Sequence, residues 1–103
     1  MKRKNVPLDE IKQMLGEFIN VKNATSRNGM ATAPNQFIII FENGKALKSY
    51  DTYVAAIIGG EKWVGSKHGH SRTTSRFVGD FLGMYKDERE RAIKNETINH
   101  FIS

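Results

Sequence analysis

Gln36-Phe-Ile-Ile-Ile-Phe-Glu-Asn-Gly-Lys-Ala-Leu-Lys-Ser-Tyr50, continued by Asp51-Thr-Tyr-Val-Ala-Ala-Ile-Ile-Gly-Gly-Glu-Lys-Trp-Val-Gly-Ser66, is the stretch that decides the fold. Strand-sized apolar runs separated by turn dipeptides read as an antiparallel meander. Gln36 to Phe41 is the first strand, rich in Ile and Phe. Asn43-Gly44 predicts a type I′ hairpin, whose central residues both take positive φ. Lys45 to Tyr50 returns, Thr52 to Ile58 follows, Gly59-Gly60 makes a second tight turn, and Glu61 to Ser66 is the fourth strand. The third strand is apolar on both faces and is expected at the centre of the sheet. The fourth, flanked by Lys62 and Lys67, reads as an edge, because charge there discourages further pairing.

On the N-terminal side, Pro7 to Asn20 reads as an amphipathic helix, with Leu8, Ile11, Leu15 and Phe18 at three-and-four spacing and Ile19 beside them. Residues 1–6 are expected as a basic tail. Residues 21–35, polar and holding Asn28-Gly29, are expected as a loop, part of which could form a short extra strand. On the C-terminal side, Lys67-His-Gly-His70 reads as a loop. A second helix is predicted from Thr74 to Met84, with Phe77, Val78, Phe81 and Leu82 as its apolar face. Gly79 is expected to permit close approach to the sheet, and Gly83 to end the helix. Lys86 to Ile102 is predicted as a third helix, with Ala92, Ile93, Ile98 and Phe101 inward and the charged segment from Asp87 solvated. The expectation is one α+β domain over residues 1–103: an N-terminal helix, a four-stranded antiparallel meander, and two C-terminal helices, the helices covering one sheet face.

Composition narrows the function classes. The chain has 103 residues and no cysteine, which excludes disulfides, thiolate metal sites and cysteine nucleophiles. No run of about 18 apolar residues is present, so no membrane span is expected. Met1-Lys-Arg-Lys4 is not followed by the apolar core of a signal peptide, and the expected location is the cytoplasm. Sixteen Lys and Arg against 11 Asp and Glu leave a net charge of +5. A basic domain attracts nucleic acid, acidic proteins or anionic surfaces. Between residues 62 and 76, Lys62, Lys67, Arg72 and Arg76 occur with no acid after Glu61.

The chemistry-bearing segment is His70-Ser-Arg-Thr-Thr-Ser-Arg76, which runs into the second helix. A helix start offers unpaired N–H groups and partial positive charge. Arg72 and Arg76, at i and i+4, would share one side of it. Phosphate is the anion such a site suits, with Ser71 and Thr73 adding hydroxyls. The simpler alternative is that Ser71, Thr73 or Thr74 only caps the helix. Trp63 and Tyr50, with Tyr53 nearby, lie beside Lys48, Lys62 and Lys67 and could stack bases, unless these rings fill the core. No cofactor is implied. A metal would need His68 and His70 to converge through a bend at Gly69, and a serine nucleophile would need Ser71, His70 and Asp51 as a set. The chain has no Gly-x-Ser-x-Gly elbow, Walker loop or Gly-x-Gly-x-x-Gly fingerprint, so an enzyme is not expected.

Ser49-Tyr-Asp-Thr52, Val54-Ala55, Gly60, Val64-Gly65, Ser71-Arg-Thr-Thr-Ser-Arg76 and Phe81-Leu-Gly83 together resemble a small domain found widely in phages and mobile elements, of poorly defined function. The resemblance covers about a third of the chain and implies a phage or mobile-element origin. Members of that group often carry an aromatic pair where this chain has Lys67-His-Gly-His70. The leading expectation is a non-enzymatic accessory protein, monomer or homodimer, that binds nucleic acid or phosphate-bearing ligands through Lys62, Lys67, Ser71, Arg72, Thr73 and Arg76. The alternative is an inhibitor or adaptor whose basic strip docks on an acidic host protein.

Overall fold

Among the described residues, seven strands, rather than four, make up the sheet, and two of its pairings are parallel. The computed structural model describes residues 5–25, 32–69 and 71–102. In chain order the elements are β1 (Asn5–Pro7), α1 (Leu8–Leu15), β2 (Phe18–Thr25), β3 (Thr32–Phe41), β4 (Gly44–Ser49), β5 (Thr52–Ile58), β6 (Glu61–Gly65), α2 (Arg72–Leu82), α3 (Lys86–Lys94) and β7 (Asn99–Ile102). The spatial order is β1-β7-β6-β5-β4-β3-β2. From β2 to β6 neighbours are antiparallel. The chain then crosses over through α2 and α3, and β7 lies parallel to both β6 and β1. The four-stranded expectation is therefore corrected: β3 to β6 are flanked by β2 on one side and by β7 and β1 on the other. β6 is not an edge, because β7 pairs with it, Trp63 opposite Asn99 and Gly65 opposite Phe101.

The N-terminal helix is shorter than its apolar stripe suggests. Gly16 takes φ +82°, a left-handed conformation that ends α1 at Leu15. Ile11 and Leu15 are buried beneath α1, whereas Phe18 and Ile19 stand exposed on β2. Within the predicted loop 21–35, residues 21–25 and 32–35 are strand, with β2 antiparallel to β3, and Asn28-Gly29 lies outside the described residues. Asn5 and Val6, expected in a basic tail, belong to β1.

The third predicted helix is also cut short. α3 ends at Lys94, Glu96 takes φ +55°, and Asn99 to Ile102 form β7. Ile98 and Phe101 are three apart and would share a face if helical. Instead they are buried in separate clusters on opposite sides of the sheet.

Those two clusters correct the remaining expectation, that all helices cover one face. Under α1 lie Ile11, Leu15, Ala46, Ala56, Trp63 and Phe101. Under α2 and α3 lie Leu47, Val54, Ala55, Val64, Phe77, Val78, Leu82 and Ile98. A central strand apolar on both faces requires both layers, since each buried Val, Ile or Leu side chain contributes about 1.5–3 kcal/mol.

The turns divide in an instructive way. Gly59 and Gly60 both take positive φ, +56° and +82°, between the paired residues Ile58 and Glu61. The first hairpin is not type I′: it turns at Glu42-Asn43 between Phe41 and Gly44, with no positive φ at either residue. Contacts from the α1–β2 corner hold it. Asn43 N–H donates to Leu15 O (3.0 Å), Glu42 N–H to Glu17 O (3.0 Å) and Asn43 Nδ2 to Met14 O (3.1 Å).

Candidate anion-binding cleft

Ser71 begins α2 as its N-cap: its Oγ accepts from Thr74 N–H (3.0 Å) and donates to Thr74 Oγ1 (3.0 Å). Thr74 Oγ1 lies 2.8 Å from Ser49 Oγ, which also accepts from Gln36 Nε2 (2.8 Å). Gln36, Ser49 and Thr74 are buried. This hydroxyl chain ties the start of α2 to β4 and β3 and explains the Ser-Arg-Thr-Thr wording. Thr74 points in and anchors, while Arg72 and Thr73 point out and are exposed.

Beside this helix start lies an open cleft of about 1020 Å³ between α2, α3 and the turn after β6. Its walls include His68, Ser71, Arg72, Ser75, Arg76 and Arg89. Asp80, Tyr85, Lys86 and Glu90 also border it. Glu61, on β6, accepts from Asn99 Nδ2 (3.0 Å).

Arg89 forms the floor, and nothing in the sequence reading singled it out. It is only 1% exposed, its terminal nitrogen donates to Ser75 Oγ, and its Nε has no hydrogen-bond partner among the described residues. Burial pulls its pKa below the ordinary guanidinium value, partly countered by Glu90. A buried charge normally has a counter-charge or a full set of hydrogen bonds. Among the described residues Arg89 has the Ser75 hydroxyl as a hydrogen-bond partner, with Glu90 acting on it at longer range. Gly79 makes room for it, because a Cβ there would lie 3.2 Å from Arg89 Nη1 and 2.9 Å from Met84 O. The close approach expected of Gly79 is thus toward α3, not toward the sheet. A signal for Arg89 did exist: it sits three and four residues before Ala92 and Ile93, which pack on the core, and so shares their face.

His68 lines the same cleft with its Nδ1 buried and without a hydrogen-bond partner among the described residues. Its pKa is lowered, first by burial, then by the positive charges of Arg89 and His100, with Glu90 opposing. The folded chain therefore takes up this proton at lower pH than the unfolded chain does. Stability should fall as pH drops below the unfolded imidazole's titration range, and His68→Gln should flatten that loss in pH-dependent melts. A cleft anion favours the imidazolium, so it should shrink the same loss.

The other predicted site residues do not gather here. Lys62 lies on β6 and Lys67 in the turn after it; both are exposed and outside the cleft walls. Tyr50 is exposed at the β4–β5 turn, where it takes φ +55°. Trp63 is fully buried under α1 and is withdrawn as a stacking residue, because no ring face reaches solvent. Tyr85 borders the cleft and is 71% exposed. His70, on which the metal and serine-nucleophile readings drew, lies outside the described residues.

Comparison with known proteins adds a family but no activity. Residues 19–99 match the model of a family of unknown function (DUF8033), and the chain belongs to that family. No curated protein and no solved structure matches it.

Proposed function

We propose that this member of the family is a non-enzymatic accessory protein, carried by a phage or mobile element, that binds nucleic acid by its phosphates in the α2–α3 cleft. The observation that carries the reading is the buried guanidinium of Arg89, held by Ser75 with its Nε lacking a hydrogen-bond partner among the described residues, in the same cleft as Arg72 and Arg76. An entering phosphate supplies a close counter-charge where low polarizability strengthens the attraction. The N-terminal N–H groups of α2 add to it. Arg72 and Arg76 hold the backbone without reading sequence, and Tyr85 offers a face to an unstacked base. Ser71 contributes as a cap that fixes the helix start rather than as a free hydroxyl.

Fluorescence anisotropy with labelled single- and double-stranded DNA and RNA, over a salt series, tests this. Binding should weaken with salt, and Arg72→Gln or Arg76→Gln should each reduce the log–log slope by about one unit. Absence of binding to all four probes at low salt, or slopes unchanged in both variants, overturns the proposal.

A further inference from the structure

β2 ends the sheet, and its outer side meets no strand among the described residues. It also carries the densest group of exposed large apolar side chains: Phe18 is 59% exposed, Ile19 61% and Val21 46%. A β-bulge between Phe18 and Asn20 places Ile19 out of register with β3. Val21 N–H donates to the side chain of its own neighbour, Asn20 Oδ1 (2.8 Å), as a strand donor does when no adjacent strand takes it. The opposite edge is built differently. β1 has three residues and ends in Pro7, which has no N–H. Exposed apolar residues concentrated on one long edge strand mark an association surface or an aggregation hazard.

We propose that a second copy of this chain pairs antiparallel along β2, about a two-fold axis, to join two sheets into one. The charge pattern selects this occupant. Between Glu17 and Lys22 the sequence is Glu-Phe-Ile-Asn-Val-Lys, with one acid and one base at its two ends. A two-fold axis between Ile19 and Asn20 sets Glu17 opposite Lys22 and Phe18 opposite Val21, each twice. Opposite charges and apolar residues across strands stabilise a pair, whereas like charges destabilise it. The arrangement is isologous and closes as a dimer rather than growing into a fibre. The surface lies at the far end of the sheet from β6 and β7 and shares no residue with the α2–α3 cleft.

Sedimentation equilibrium of the full chain over a wide concentration range is the test. The wild type should show a monomer–dimer equilibrium. Lys22→Glu alone, and Glu17→Lys alone, each place like charges opposite one another twice and should weaken the dimer about 10-fold or more. The doubly swapped Glu17→Lys/Lys22→Glu chain should dimerise as the wild type does. Val21→Lys should dissociate the dimer while circular dichroism and the melting temperature show the fold intact. A wild type that stays monomeric at its highest soluble concentration overturns the proposal. So does a dimer indifferent to all four variants, because its interface then lies elsewhere.

Discussion

Truncating Trp63 to alanine should cost about 3–5 kcal/mol, the range for removing a large buried aromatic. Trp63 is fully buried between Ile11 and Leu15 of α1, Ala46 and Ala56 of the central strands, and Phe101 of β7. It therefore joins the N-terminal helix, the meander and the C-terminal strand, and no neighbour can fill its volume without moving an element. Domains of this kind are stable by about 5–15 kcal/mol in all, so the loss is a large fraction of the total. Chemical denaturation of the variant measures it. Trp63→Phe should cost less, since it keeps a ring and removes an indole N–H that has no hydrogen-bond partner among the described residues. Trp63 is also the chain's single tryptophan, so its emission reports one site. That emission should be blue-shifted, protected from iodide, and unchanged on adding oligonucleotide. A cost below about 1 kcal/mol, as for an exposed surface site, or strong ligand-induced quenching, contradicts the burial.

Arg89→Met should separate folding from binding. Taking an ion out of water costs several kcal/mol, and Arg89 is offset by the Ser75 hydroxyl and by Glu90 at longer range. Methionine has similar length, no charge and adaptable packing, so in phosphate-free buffer the variant should be at least as stable as wild type, by about 1–4 kcal/mol. Added oligonucleotide at about 100 times Kd should stabilise the wild type by about 2.7 kcal/mol through mass action. The same addition should leave the variant's melting temperature nearly unchanged. Thermal melts in chloride, with and without oligonucleotide, read both effects. If Arg89→Met lowers stability by about 3–5 kcal/mol, the guanidinium is part of the fold's own hydrogen bonding and the cleft loses its basis.

The residues that were misread share a cause. Phe18 continues the spacing of Leu8, Ile11 and Leu15, so periodicity alone carries the helix past Gly16; the +82° φ of that glycine ends it. β2 has polar and apolar residues on an exposed edge, where neither alternation nor burial leaves a pattern. Asn43-Gly44 is a strong hairpin signal, yet the turn sits one residue earlier, because three hydrogen bonds from the α1–β2 corner outweigh the local preference. Arg89 lay hidden in a charged run because a guanidinium on a helix is usually solvated.

Local chemistry determined a good deal by itself. It marked the strand character of residues 36–66, the Gly59-Gly60 turn, the start of α2 at a Ser-Arg-Thr-Thr segment and its stop at Gly83. Each depends on neighbours in the chain: turn torsions, a cap three residues away, an apolar face at helical spacing. Tertiary structure alone decided that β7 and β1 extend the sheet in parallel, that helices cover both faces, that Trp63 is interior, and that Arg89 is buried beside Arg72 and Arg76. Parallel pairing and cleft formation join residues far apart in the chain, and their free energy comes from surfaces that exist only after the elements have packed.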